Sequence, residues 1–111
     1  MSCIFCKIIK KEIPSKIAYE DDKVIAFHDI SPQAPVHILV IPKKHVVTVA
    51  DLQDMEVVKD LFYVMKRLAK DMGIEKSGYR IVVNHGKGAG QVVPHLHFHL
   101  LGGRPLHWPP G

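Results

Sequence analysis

An alternation of histidine and apolar residues constrains the fold of this chain more than any other feature. The segment reads His95-Leu96-His97-Phe98-His99-Leu100-Leu101. In a β-strand, successive side chains point to opposite faces, so the three histidines share one face and the apolar residues share the other. On a helix both sets would scatter around the axis. The pattern therefore predicts a strand over residues 92–101, with one face in the core and a row of histidines on the other.

The rest of the chain alternates between apolar runs and turn signals, which predicts an α+β fold. We expect a short helix capped by Ser2 and ended by Pro14, strands over residues 17–19, 24–27, 36–41 and 79–83, and a long helix over residues 52–72. Asp51 is the expected cap of the long helix, and Gly73 suits its C′ position. Its expected buried face comprises Leu52, Met55, Val58, Leu61, Phe62, Met65, Leu68, Ala69 and Met72. Because the strands cluster apart from the long helix, we expect a mostly antiparallel, five-stranded sheet with one long and one short helix.

Length and charge limit the possible partners. The chain has 111 residues and a mass of 12.5 kDa, which predicts one domain over residues 1–111. The net charge of +4 is spread over scattered lysines, so it favours an anionic small ligand and no specific nucleic acid. No apolar run reaches the roughly 18 residues that a membrane span needs, and no targeting segment is visible. We therefore expect a cytoplasmic protein with no membrane partner.

Three histidines on one strand face have two functional interpretations besides a solvated surface. Neutral histidine is a common metal ligand, and the His-x-His spacing suits metal binding. Histidine is also a nucleophile that forms covalent intermediates when its tautomer is fixed. The spacing alone does not separate these two interpretations.

The loop before the histidines is rich in glycine and runs over residues 84–91. It lacks the Walker A pattern and the GxGxxG pattern. Its glycines nevertheless allow backbone N–H groups to approach a phosphate, and Asn84 and Gln91 add side-chain donors. A phosphate beside three histidines fits phosphoryl or nucleotidyl transfer.

These motifs resemble the histidine-triad nucleotide-binding proteins. Residues 95–101 match the His-φ-His-φ-His-φ-φ motif of that family, in which φ is apolar. The segments 27–35, 37–45, 101–104 and 107–111 are similar to its purine nucleoside phosphoramidase branch. The resemblance extends over nearly the whole chain.

The resemblance implies a covalent reaction at a nucleoside phosphate. Members of this branch hydrolyse the P–N bond of purine nucleoside 5′-phosphoramidates and of related aminoacyl-adenylates. The middle histidine, here His97, attacks the α-phosphorus and becomes nucleotidylated, and water then releases AMP or GMP. His99 would bind the phosphate, and His37 would assist proton transfer to the leaving amine. No metal is implied in the chemical step.

The same resemblance implies a nucleotide-binding surface. Asp29, followed by Ile30, would accept hydrogen bonds from the ribose hydroxyls, and Asn84 would hold a phosphate oxygen. Backbone N–H groups around Gly90, Gln91 and Val92 would also bind phosphate. Many relatives have serine where this chain has Val92, so the preferred leaving amine stays open. The residues implied in the base pocket are Ile4, Phe5, Ile8, Ile13, Phe27 and Leu39.

Two cysteines, Cys3 and Cys6, have the spacing of half a zinc site. His45 and His95 are the candidates for the other two ligands, as in those family members that carry an N-terminal Cys-x-x-Cys. The zinc would be structural and would hold the first helix against the sheet. Free thiols and a redox pair are the alternatives.

The resemblance also implies a homodimer whose two sheets join into a larger one, with each tail reaching toward its partner's site. Three other functions compete with phosphoramidate hydrolysis. One is a metallohydrolase with catalytic zinc at His95, His97 and His99, although no carboxylate adjoins the triad as a general base. The others are a non-catalytic nucleotide-binding or interaction module and a diadenosine polyphosphate hydrolase.

Overall fold

The computed structural model describes residues 3–111 and contains two α-helices and five β-strands in that range. The elements in chain order are α1 (Ile4–Ile9), β1 (Ile17–Glu20), β2 (Val24–His28), β3 (Val36–Pro42), α2 (Met55–Asp71), β4 (Tyr79–Val83) and β5 (Phe98–Gly102). Short 3-10 turns precede α2 and interrupt the glycine loop. The predicted α+β class is confirmed.

The five strands form one sheet in the order β1-β2-β3-β5-β4. Every neighbouring pair is antiparallel, as predicted. The histidine-bearing strand β5 lies between β3 and β4, and the register places His99 opposite Leu39 on one side and Val82 on the other. His99 therefore lies on an inner strand, one strand away from the β4 edge, and His95 and His97 lie just before that strand.

Each face of the sheet buries its own apolar cluster, as the strand alternation predicts. α2 packs on one face against Leu96, Phe98 and Leu100, together with the inward residues of β2 and β3. The shorter α1 packs on the opposite face. That smaller cluster consists of Cys3, Phe5, Ile8, Ile25, Phe27, Leu39 and Ile41. The three histidines lie on the α1 side, because they alternate with the residues that face α2.

The predicted start and face of the long helix are partly wrong. α2 begins at Met55, and its cap is Asp54, whose Oδ1 accepts from the Glu56 N–H at 3.0 Å. Asp51 instead closes a capping box with Thr48 in the preceding 3-10 turn. Two expected core residues, Met55 and Phe62, are 62% and 42% exposed, whereas Val57 and Val64 are buried. The expected C-terminal glycine is correct, since Gly73 has φ of 75°.

The first helix and the last strand are both shorter than predicted. α1 ends at Ile9, well before Pro14, and its N-cap is Cys3; the expected cap Ser2 lies outside the described residues. β5 begins at Phe98 and not at residue 92. Pro94 has no N–H to donate to a ladder, and the Leu96 N–H donates to the carbonyl of Val46 in a loop.

Across residues 3–111, neither helix has both the length and the apolar character that crossing a bilayer requires.

Candidate functional site

The three histidines of the triad belong to two different side-chain groups. His95 joins Cys3, Cys6 and His45, whereas His99 joins His37 and Asp29. His97 lies between them, with its ring 5.1 Å from that of His99. The predicted common face is thus present, but His95, His97 and His99 do not converge on one point. This division disfavours the metallohydrolase hypothesis.

The first group has the size and chemistry of a zinc site. Nδ1 of His95 lies 3.6 Å from Sγ of Cys3 and 3.7 Å from Sγ of Cys6. Nδ1 of His45 lies 3.2 Å from Sγ of Cys6 and 3.1 Å from Nδ1 of His95. Zinc bonds to sulfur and nitrogen imply tetrahedral edges of about 3.6 Å between S and N and about 3.3 Å between two N. Two thiols and two imidazoles at these separations fit a zinc ion.

The ring of His95 is oriented for this role. Its Nε2 lies 2.8 Å from the carbonyl oxygen of Pro42, which only accepts, so Nε2 carries the proton. Nδ1 is then the unprotonated nitrogen, and it faces the cysteines. His95 is completely buried, and this burial lowers the pKa of its ring, which favours the neutral, ligating form.

A similar contact fixes the tautomer of His97. Its Nδ1 lies 2.7 Å from the carbonyl oxygen of His95, so Nδ1–H donates and Nε2 keeps a lone pair. The side chain is only 8% exposed. The ring of Phe5 packs edge-on against it, at a centroid distance of 5.1 Å and an interplanar angle of 86°. His97 is thus a positioned imidazole with one nucleophilic nitrogen.

His37 and His99 form a hydrogen-bonded pair beside His97. The N–H of Gln33 donates to Nδ1 of His37 at 3.0 Å, so the proton of a neutral His37 is on Nε2. That Nε2 lies 2.9 Å from Nδ1 of His99, which therefore accepts. The remaining nitrogen of neutral His99, Nε2, is then an N–H donor available to a ligand.

Both rings of this pair are neutral at pH 7. Burial, followed by the neighbouring His97 and His37, lowers the pKa of His99 to about 4. Burial also lowers the pKa of His37, although Asp29 opposes that effect. The pair is therefore a neutral donor–acceptor chain and not a cationic clamp.

Asp29 lies at the end of this chain, just after β2. Its Oδ1 accepts from the N–H of Ser31 at 2.7 Å, which is an Asx turn. Its Oδ2 lies 3.4 Å from Nε2 of His37. The adjacent Ile30 is 95% exposed, so this turn is open to solvent. A carboxylate oxygen is thus accessible on the α1 side, near the two histidines.

In the glycine loop, the side chain of Gln91 has a role that the sequence did not reveal. Its Oε1 accepts from the N–H of Gly86 at 2.9 Å, and its Nε2 donates to the carbonyl oxygen of Val47 at 2.7 Å. Its backbone N–H also donates to the carbonyl of Gly86. Gln91 therefore stabilises the loop internally. Gly86 and Gly90 both have positive φ, 81° and 85°, so this loop shape requires glycine.

The other predicted loop residues flank the histidine face. Asn84 directly follows β4 and is half-buried. Val92 is 88% exposed and presents an apolar side chain to solvent.

Four of the six residues expected around the base lie in one buried cluster. Phe5, Ile8, Phe27 and Leu39 are 3–7% exposed, and the rings of Phe5 and Phe27 meet edge-on at 5.4 Å. Ile13 packs at the border of this cluster, and Ile4 is half exposed. A separate cavity of about 780 Å³ is lined by His45 and Val57 among other residues, and none of the six residues expected around the base lines it.

Comparisons with known proteins agree with this architecture. The model of the HIT domain family matches residues 10–106. The chain is 55% identical to the 14 kDa zinc-binding protein of Zea mays over 112 aligned residues, which cover 97% of this chain and 87% of that protein.

Two solved structures extend the comparison. The crystal structure of a HIT family hydrolase from Legionella pneumophila superimposes with a TM-score of 0.96 at 48% identity, covering 99% of this chain and all of the other. A histidine triad nucleotide-binding protein from Candida albicans gives a TM-score of 0.86 at 40% identity, covering 97% and 83%. The fold and the site define an α+β protein with a row of positioned histidines. The chain belongs to the HIT domain family, and its similarity to a HIT family hydrolase supports a hydrolase.

Proposed function

We propose that this chain hydrolyses the P–N bond of purine nucleoside 5′-phosphoramidates and of related aminoacyl-adenylates. The observation that carries the proposal is the buried His97, whose Nδ1–H donates to the His95 carbonyl and whose Nε2 keeps its lone pair. An imidazole held in that tautomer, with a lone pair on Nε2, is a competent nucleophile.

The reaction has two displacements at phosphorus. Nε2 of His97 attacks the α-phosphorus, a nitrogen–phosphorus bond forms, and the bond to the leaving amine breaks as that amine gains a proton. Water then cleaves the bond to His97 and releases AMP or GMP. The N–H on Nε2 of neutral His99 donates to the phosphate. As the P–N bond breaks, the leaving amine gains one proton that comes from solvent and is relayed by the hydrogen-bonded His37–His99 pair, which ends the step neutral.

The surrounding residues suit a nucleoside monophosphate. The carboxylate of Asp29 accepts hydrogen bonds from the ribose hydroxyls. Asn84 and the backbone N–H of Val92 bind the phosphate. The N–H groups of Gly90 and Gln91 instead donate to the carbonyls of Lys87 and Gly86, so they hold the shape of the loop. The base packs on the apolar cluster that contains Phe5, Ile8, Phe27 and Leu39. The exposed Val92 donates no hydrogen bond through its side chain, so activation of the leaving amine rests on other groups and the preferred amine stays open.

Zinc at Cys3, Cys6, His45 and His95 has a structural role in this proposal. When bound, the ion supplies a cross-link between α1 and the sheet and no step of the reaction. The maize relative's name, a zinc-binding protein, supports metal binding at these four residues.

The proposal is tested by the turnover of adenosine 5′-phosphoramidate to AMP, in wild type and in His97→Ala. We expect His97→Ala to lower kcat by on the order of 10⁴-fold or more, because it removes the nucleophile. His28→Gln is the matched control, because His28 lies at the end of β2 and alternates with Phe27, away from the triad face. We expect this control to retain activity.

The same assay follows a brief exposure to a chelator, with folding checked by circular dichroism. Activity that persists without metal excludes a catalytic metal, whereas a loss of activity in the folded protein indicates a metal that either reacts or positions His97. Diadenosine tetraphosphate, offered as a competing substrate, tests the polyphosphate hydrolase alternative. AMP binding without any turnover by the wild type would favour a non-catalytic nucleotide-binding module and contradict the proposal.

A further inference from the structure

Helix α1 carries two of the metal-binding residues and also contacts the nucleophile. Cys3 is its N-cap and Cys6 lies in its first turn, so Phe5 stands between the two thiols in the chain. The ring of Phe5 is 6% exposed and meets three rings edge-on: Phe27 at 5.4 Å, His95 at 6.0 Å and His97 at 5.1 Å. Any movement of α1 therefore moves the ring that packs on His97.

Apart from the apolar packing of Phe5 and Ile8, α1 has few other contacts that hold it in place. It is six residues long, and its N-cap makes no side-chain hydrogen bond to the helix. Isolated helices of this length are unstable in water, and most of their stability comes from tertiary contacts. A bond from each cysteine to a metal shared with His45 and His95 would fix the N-terminal end of α1 to the sheet.

A second contact leads from the same metal group to His97. The ring of His95 is held at both nitrogens, by the carbonyl of Pro42 on one side and by the cysteines on the other. The backbone carbonyl of His95 accepts the Nδ1–H of His97. A displaced His95 would therefore displace the group that fixes the tautomer of His97.

We propose that the metal-loaded group at Cys3, Cys6, His45 and His95 is a positioning centre for His97, acting through the Phe5 ring and the His95 carbonyl. Phe5 is then a positioning residue for the nucleophile in addition to a wall of the base pocket. The kinetic consequence rests on the proposed phosphoramidase function, whereas the placement of His97 does not depend on it.

The first test changes Phe5→Leu in the zinc-loaded protein, which leaves all four ligands in place. We expect one zinc per chain, altered ¹⁵N resonances of the His97 ring, and a kcat lower by about 10- to 100-fold, since small displacements of a reacting group have effects of that size. A residue that only lines the base pocket would instead raise KM and leave the His97 resonances unchanged. Ile25→Val is the matched control, because Ile25 is fully buried in the same cluster and belongs to β2.

The second test removes zinc from the wild-type protein with a chelator and records the same resonances and the affinity for AMP. We expect His97 to populate both neutral tautomers, or to broaden, and to recover when Zn²⁺ is added back. Unchanged His97 resonances in a folded, metal-free protein would overturn the proposal, because the metal would then only cross-link α1 to the sheet without positioning His97. If the metal-free protein unfolds, the zinc-loaded Phe5→Leu variant decides the question alone. Unchanged His97 resonances in that variant would overturn the proposal that Phe5 positions His97.

These tests separate two kinds of failure. A wild type that turns over no phosphoramidate contradicts the proposed function, yet the His97 resonances still decide the positioning proposal. Conversely, an active enzyme whose His97 resonances do not depend on Phe5 or on zinc contradicts only the positioning proposal.

Discussion

At the scale of single residues, the site depends on histidines fixed in one tautomer by backbone groups. Burial lowers the pKa of three of them, His37, His95 and His99. The carbonyl of Pro42, the carbonyl of His95 and the N–H of Gln33 each determine which nitrogen of a neighbouring ring holds the proton. Main-chain groups do not titrate, so these assignments persist over the pH range in which the rings are neutral. The phosphate of a ligand then meets an N–H donor on His99 and an unprotonated nitrogen on His97.

The low pKa of His99 predicts that acid destabilises the fold. Because that pKa is about 4 in the folded state and near 6.5 when unfolded, the unfolded chain binds a proton first as the pH falls. Above pH 6.5, we expect the contribution of His99 to the free energy of unfolding to be constant. Between pH 6.5 and pH 4, we expect it to fall by on the order of 2 kcal/mol, a value already reduced for the partial exposure of the ring.

Urea unfolding at several pH values measures this effect. Acid also weakens metal binding, so the relevant quantity is the difference between the wild type and His99→Gln. The variant lacks the titrating ring, and we expect a shallower loss of stability between pH 6.5 and 4. Parallel pH profiles for the two proteins would contradict the prediction.

Sequence spacing determines which face a residue occupies but not which neighbours it meets. The alternation at residues 95–101 predicted the common face of the histidines, and the Cys-x-x-Cys spacing predicted half of a metal site. The resemblance to the histidine-triad family supplied the other candidate ligands, His45 and His95, and the structure brings all four residues together. The tautomer contacts were not predictable, because they come from carbonyls and N–H groups whose positions depend on the tertiary fold. The structural use of Gln91 was missed for the same reason: its partners Gly86 and Val47 become neighbours only when the loop closes.

At the scale of elements, the errors of prediction arose where two residues competed for one role. Asp51 and Asp54 are both good N-caps by residue type. Thr48 precedes Asp51 by three residues and forms a capping box with it, which leaves Asp54 to start α2. The early end of α1 and the late start of β5 have a different cause. Both follow from loop contacts that residue propensities do not encode.

The end of β5 approaches the segment after α2 so closely that it needs glycine. A Cβ on Gly102 would lie 2.7 Å from Cδ1 and 3.0 Å from Cβ of Ile74, which is itself 3% exposed. We expect Gly102→Ala to lower the free energy of unfolding by about 1–3 kcal/mol through overpacking. Gly88→Ala is the control for thermal and urea unfolding, because no atom lies within 4 Å of its added Cβ. Equal free energies of unfolding for the two variants would contradict the prediction, because the Ile74 side chain would then move aside without destabilising the fold.

We expect loss of the metal to detach α1 from the sheet before the sheet itself unfolds. A ligand that binds only the folded state at about 1,000 times its Kd contributes roughly 4 kcal/mol to stability. We therefore expect Cys6→Ser to lower the melting temperature and to speed amide hydrogen exchange in α1 more than in β3 and β5. Cys6 is chosen over Cys3 because it is less buried, so that the new hydroxyl is easier to solvate. Metal analysis that finds far less than one zinc per wild-type chain would contradict the premise.

At the scale of the whole molecule, one edge of the sheet carries an apolar surface that a second copy of the chain would cover. Val83 of the edge strand β4 is paired with Phe98, and Phe62 of α2 meets Phe98 edge-on at 5.8 Å. Val83 and Phe62 are 36% and 42% exposed, and Tyr63 is 62% exposed. An edge strand with such neighbours is a natural site of pairing.

We expect a homodimer that joins through β4 and α2. Analytical ultracentrifugation at micromolar concentration should give twice the chain mass of 12.5 kDa. Phe62→Lys should shift the protein toward the monomer by placing a charge in the interface. Arg67→Ala is the control, because Arg67 lies over Tyr19 of β1, at the opposite edge of the sheet. A wild type that sediments as a monomer would contradict this prediction.

The four metal-binding residues also span almost the whole length of the chain: Cys3 and His95 are 92 positions apart, and His45 and His95 are 50 apart. During synthesis the two thiols leave the ribosome first, and the last imidazole follows only after β4 and the glycine loop have been made. Zinc binding at all four residues would thus be a late event, because it needs the segments after β3 and before β5 to have come together. The metal would then mark polypeptides that have finished folding, and the rate of its capture would report when the central strands come together.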